Sequence, residues 1–184
     1  KSENEPPIMQ FQLTKELLVE LREWIAEGKD SAIIESIADA HQADIAEIIN
    51  ELRREEAVYL YKLLDEEKAA EVMLDLDDDV REKLLSSLTS REIAEDLIEN
   101  IDSDDAADVI AELPEQKQEE VIALLGDEEQ ASDIIDLMTY EEGTAGALMG
   151  TELMKVNQNW TVSQAVRELR KQAEDIEHIY TIYV

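Results

Sequence analysis

The sequence predicts a mainly α fold: a superhelical solenoid of about ten short helices over residues 15–138, followed by the opening strand–helix–strand of a truncated α/β domain. Three observations carry this prediction. An apolar stencil at i, i+3, i+4 and i+7 recurs every 12 or 13 residues. The breaks between its copies hold cap and turn residues. After Tyr140 the pattern changes: glycines cluster, and β-branched and aromatic residues then replace the helical stripe.

Residues 1–14 open with the polar, Pro-containing KSENEPP and are expected to be poorly ordered. Leu17, Leu18, Leu21 and Ile25 mark a first helix, with Gly28 as its left-handed C-terminal cap. Ile33, Ile37 and Ala40 give a loose copy of the stencil. Full copies follow at Ile45, Ile48, Ile49, Leu52; at Ala57, Leu60, Tyr61, Leu64; and at Ala69, Val72, Met73, Leu76. A weaker copy puts Arg81 where an apolar residue belongs, ahead of Leu84, Leu85 and Leu88. Then come Ala94, Leu97, Ile98, Ile101; Ala106, Val109, Ile110, Leu113; the partial Gln118, Val121, Ile122, Leu125; and Ala131, Ile134, Ile135, Met138. The copies begin at 45, 57, 69, 81, 94, 106, 118 and 131, so the steps are 12, 12, 12, 13, 12, 12 and 13. Each helix would be about 15–18 Å long and unstable alone. Each must therefore bury its stripe on its neighbours, which is the logic of a solenoid; its hand is left open. Ser103 is expected as an N-cap, with Asp104 and Asp105 in the first turn. Pro114 suits a first turn, and Asp127 a cap.

Residues 139–150 form a Gly- and Ala-rich junction, with small residues at Gly143, Ala145, Gly146, Ala147 and Gly150 that permit close backbone approach or a hinge. No Lys-Ser or Lys-Thr follows them, so this is not a phosphate-binding loop. Residues 151–184 then read as a strand (Leu153–Val156), a helix capped by Thr161 through Val162, Ala165, Val166 and Leu169, and a strand (His178–Val184).

Composition narrows the chemistry. The 184 residues carry 47 Asp and Glu against 16 Lys and Arg, a formal net charge of -31. Such a surface repels nucleic acid and anionic lipid and attracts cations and basic proteins. There is no Cys, which removes disulfides, zinc ribbons and thiol chemistry. No signal-peptide pattern opens the chain, and its apolar runs fall short of the ~18–20 residues that span a bilayer, so the segment is expected to work in water. Catalysis finds no support, since the two histidines, His41 and His178, lie at element ends and no nucleophile or zinc motif is present. Asp75, Asp77 and Asp79 imitate a calcium loop, but Val80 and Ser86 stand where that loop needs Gly and Glu. Two outward acidic stripes remain: Glu67, Glu71, Asp75 and Asp104, Asp108, Glu112, each at i, i+4, i+8 without interleaved bases. Like charges at this spacing repel. A hydrated Mg²⁺, which needs only one or two carboxylates, would relieve them. Spacing alone favours a solvated acidic face over a metal site.

The stretches HQADIAEIINEL (41–52), KAAEVMLDL (68–76), DSDDAADVIAELP (102–114) and, above all, YEEGTAGALMG (140–150) resemble the amino-terminal cytosolic region of the MgtE family of magnesium transporters. Residues 153–184 resemble the opening of a first cystathionine-β-synthase-type (CBS) domain. The resemblance implies a helical N domain ahead of paired CBS domains and a transmembrane pore, in a homodimeric full-length protein at the cytoplasmic face of the membrane. It implies no enzymatic activity. It also implies that Mg²⁺ between acidic N and CBS faces favours a closed state. By motif, Glu71, Asp104 and Asp108 are carried over as metal residues. The family's CBS domains also bind adenine nucleotide, and Thr181, between Tyr180 and Tyr183, departs from an aromatic-rich pattern, so no nucleotide residue is carried over. A helical scaffold of the flagellar-switch type is the alternative; it would lack the CBS-like tail.

Overall fold

The computed structural model describes residues 13–141, 143–151, 154–172 and 181–184. The expectations for residues 1–12, for Leu153 at the start of the first strand and for residues 178–180 at the start of the second therefore lie outside the described residues. The chain forms two compact units. One takes the residues up to Ile101 together with Ile110–Gly126; the other takes Asp102–Val109 and Asp127–Val184.

In the first unit, α1 (Lys15–Glu27), α2 (Asp30–Ile37), α3 (Gln42–Glu51), α4 (Arg54–Tyr61), α5 (Glu66–Leu74) and α6 (Asp78–Leu85) follow the repeat. Gly28 ends α1 at φ 67, as its lack of a side chain permits. The caps come from the breaks: Asp65 accepts from the Lys68 amide at 3.0 Å. Most stencil positions are buried: Ile45, Ile48, Ile49, Leu60, Val72 and Met73 are fully enclosed, while Leu52 and Leu64, at the ends of their copies, are half-buried. Helices pack on their next-but-one neighbours, α3 on α5 and α4 on α6, as well as on adjacent ones.

The first 13-residue step has a structural counterpart. Beyond α6, α7 (Ser90–Glu92) runs into a π-helical turn (Ile93–Leu97) and a 3-10 turn (Ile98–Asn100). A π turn holds one residue more than an α turn. The surplus residue is absorbed there, and Ile93, Ala94, Leu97 and Ile98 all remain fully buried. After α8 (Ser103–Ala111), α9 (Glu115–Ile122) returns to the first unit and packs on α7. Pro114 sits one place earlier than expected, as the cap residue whose carbonyl accepts from Lys117 and Gln118.

The few bases tie distant helices. Arg22 donates to the Glu51 carbonyl at 2.8 Å, Arg54 to Ser86 at 2.9 Å, and Arg81 meets Glu112 at 2.7 Å. Lys117 donates to the Leu85 and Leu88 carbonyls at 2.8 and 2.7 Å. Lys62 bonds Glu92, whose carboxylate also accepts from the Thr89 amide at 2.7 Å in a capping box. Those bonds, Lys62 first, lower the Glu92 pKa from 4.5 to about 2. A depressed carboxylate stabilises the fold fully above its unfolded value, and that contribution fades as pH falls through the folded one. Glu92→Gln is accordingly expected to cost ~1 kcal/mol above pH 4.5, with the gap to the parent closing toward pH about 2. Urea unfolding of both proteins across that range checks it; a gap that is flat with pH contradicts it.

The second unit contains most of α8, then α10 (Glu128–Leu137), β1 (Met154–Lys155), α11 (Val162–Gln172) and β2 (Ile182–Tyr183). Asp127 caps α10 as expected, accepting from the Glu129 and Gln130 amides. One expectation fails on this helix. Ile135 is 47% exposed, while Ile134 and Leu137, three residues apart, share the buried side. Thr161 and Gln164 form a reciprocal box at the start of α11. β1 and β2 pair in parallel, Met154 with Ile182, so the last strand finds its partner across the helix. In the Gly-rich segment, a Cβ at Gly146 would fall against the Tyr140 ring, 2.7 Å from its Cγ; the small residue is required there for close approach.

Candidate functional site

The acidic helix α8 is the centre of the second unit's candidate site. Its first hydrogen bond runs from the Ala106 amide to the Asp102 carbonyl, 2.9 Å. Asp102 therefore occupies the cap position expected for Ser103. Ser103 is instead the first helical residue, fully buried, with its hydroxyl 2.6 Å from that of Thr151. Ala106, Ala107, Val109 and Ile110 are also buried. Burial of Ala107 beside the stencil residues leaves a narrow outward face. Asp108 is exposed on that face and Asp104 half-buried. They stand one turn apart, at a spacing that brings side chains together. Asp104 also complements the helix dipole in the first turn, whereas Asp108 lies beyond the reach of that effect.

Glu71 lies on α5 of the first unit, half-buried between Ala70 and Val72, both fully enclosed. Glu67 and Asp75, its stripe partners, are exposed. The other stripe needs a correction. Glu112 follows the last residue of α8 and is engaged by Arg81, Nε at 3.0 and 3.1 Å and Nη2 at 2.7 Å. A base answers that acid from another helix, which leaves Asp104 and Asp108 as the i, i+4 pair within α8.

What these groups can do follows from their number. Among the described residues, no three or more His, Asp or Glu come together as a metal-holding group. Two carboxylates one turn apart suit a hard divalent cation that keeps most of its waters, and do not suit a cage that strips them. No helix of the described residues is long and apolar enough to cross a membrane. Trp160, just before α11, and Gln164, Arg167 and Glu168 on it line a shallow open groove. The Ser103–Thr151 pair and the Arg81 tie were not foreseen from sequence. The hydroxyl pair carries no local pattern, and Arg81 reads in the sequence as a defect in the stencil.

Comparison with known proteins agrees with the helical array. Residues 40–143 match the family described as the MgtE intracellular N domain. The chain is 32% identical over 173 residues to a magnesium transporter MgtE of Thermus thermophilus, covering 94% of this chain and 38% of that protein. It is 45% identical over 49 residues to a magnesium transporter MgtE of Enterococcus faecalis, covering 27% of this chain and 11% of that protein. The chain thus spans well under half the length of either relative. Among solved structures, the soluble part of a magnesium transporter superposes with a TM-score of 0.73 at 25% identity, covering 92% of this chain and 67% of that one. The cytosolic domain of the Mg²⁺ channel MgtE in complex with ATP superposes at 0.76 and 32% identity, covering 91% and 68%. With more than half of its length matched by the family and a similar fold in both solved structures, the chain belongs to the MgtE intracellular N domain family.

Proposed function

We propose that this chain is the cytosolic Mg²⁺-sensing regulatory region of a magnesium transporter. In this reading it gates uptake through Mg²⁺-dependent association of its helical N domain with CBS domains. The observation that carries the reading is the identity extending over 94% of the chain to a magnesium transporter. Residues 15–138 are the N domain, 139–150 the junction and 151–184 the start of the first CBS domain. The parallel β1–α11–β2 unit is what an all-helical flagellar-type scaffold would not carry.

The mechanism is electrostatic. Glu71, Asp104 and Asp108 stand on outward acidic faces of a chain with formal charge -31. Opposed to acids of the CBS domains, they repel. Partly hydrated Mg²⁺ shared between the faces removes that repulsion, and its loss restores it. The switch needs no catalytic group and none is assigned. The full-length protein works as a homodimer, with this region at the cytoplasmic face of the membrane.

The test uses a chain extended through both CBS domains. Mg²⁺ is titrated at constant ionic strength, and compaction is followed by small-angle X-ray scattering. The joint substitution Asp104→Ala and Asp108→Ala is expected to move the midpoint about tenfold higher in Mg²⁺. Glu47→Ala with Glu51→Ala, also exposed acids, should leave it near the parent value. Equal midpoints for the two double variants would reduce the effect to diffuse screening.

A further inference from the structure

Ser103 is the one polar side chain among the described residues that is fully buried. A buried hydroxyl is costly unless it is satisfied, and a satisfied one fixes a single geometry. Its hydroxyl lies 2.6 Å from Thr151 Oγ1, a residue 48 positions along the chain. Ser103 opens α8, one residue before Asp104. Thr151 immediately follows the Gly-rich segment and precedes the start of β1 by three positions. Asp102–Val109 also groups with Asp127–Val184 and not with the helices that flank it in sequence. Within that unit, this contact joins the acid-bearing end of α8 to the segment that enters the α/β part.

We infer that the Ser103–Thr151 hydroxyl pair is a metal-independent latch. It seats the first turn of α8, and with it Asp104, against the segment leading into β1, and it holds the preceding Leu148–Gly150 stretch in place. The latch goes beyond the Mg²⁺-sensing role and acts before any cation binds. Apolar side chains show where the loss of the latch would be felt: Leu148 is 71% exposed and Met149 48% exposed, next to the anchor and open to a protease.

The experiment is chymotrypsin digestion of the 184-residue chain with a chelator present, following cleavage at Leu148 and Met149. Ser103→Ala and Thr151→Val are each expected to speed this cleavage about fivefold, the loss of one satisfied hydrogen bond. The double variant should be slower than the product of the two single effects, because the contact between the two hydroxyls is lost only once. Thr151→Ser, which keeps the hydroxyl, should cut near the parent rate. Unchanged rates, single effects that multiply in the double variant, or a Thr151→Ser rate equal to that of Thr151→Val would overturn the latch. So would a rise spread evenly over cleavage sites in α1 and α10, which reports only global destabilisation. Adding Mg²⁺ separates the two ideas. If Mg²⁺ fails to compact the CBS-extended chain, the sensing reading falls and the latch result stands unaltered.

Discussion

Ile49→Asp is expected to unfold the first unit at room temperature. Ile49 is fully buried on α3, which packs on α4 and α5. Removing the isoleucine forfeits ~2–5 kcal/mol of packing, and a carboxylate without a partner in its place costs several kcal/mol more. A domain is stable by only ~5–15 kcal/mol, so the sum takes most or all of it. Leu113→Asp, at a position 6% exposed, should act in the same direction. Glu47→Ala, on the outer side of the same helix, should stay within ~0.5 kcal/mol of the parent. Far-UV circular dichroism decides the matter. If the Ile49→Asp protein keeps parental helicity and a parental urea midpoint, the inward face of α3 has been misassigned.

Arg81→Ala is expected to cost ~2–3 kcal/mol, more than any other single tie in the array. The side chain is 17% exposed, meets Glu112 through two nitrogens and also pairs with Asp78. Its stem occupies a stencil position where the repeat places an apolar residue, so truncation removes packing as well as charge. Arg81→Leu separates the two contributions. It restores the apolar residue and leaves Glu112, which is 33% exposed, able to turn to water. It should therefore recover roughly half of the loss. Chemical unfolding of the two variants measures this. If Arg81→Leu proves as destabilising as Arg81→Ala, the guanidinium contacts alone carry the stability and the packing argument fails.

The repeat was legible because burial is periodic and local. Ile45 to Met73 follow a helical stencil that needs no knowledge of what lies opposite. Even the extra residue before Ala94 was visible as a 13-residue step, although its accommodation in a π turn was not. The chemistry of single breaks was less secure. Asp102 and Ser103 are both good cap formers, and only the backbone shows which one caps. Ile135 misled because α10 turns Leu137 inward, a choice made by its packing partners and not by its own pattern. Of the site, Asp104 and Asp108 share a face as helical geometry dictates. Glu112 dropped out because its partner Arg81 is 31 residues away, a separation no local rule reaches. Ser103 and Thr151, 48 apart, were out of reach for the same reason.

Contacts in the first unit run from α3 to α5 and from α4 to α6, and its longer polar ties span 29 to 34 residues. Next-but-one packing thus runs alongside contacts between neighbouring helices, and each tie reaches past at least one intervening helix. This sets the step by which such an array can grow or shrink. Losing a single helix of twelve residues would shift every later helix by one place against its next-but-one partner and set acids and bases out of register. Losing or duplicating two together restores the next-but-one pattern of α3 on α5 and α4 on α6. The natural increment of the architecture is therefore the helix pair, and length variants that keep the interior intact should differ by even numbers of helices.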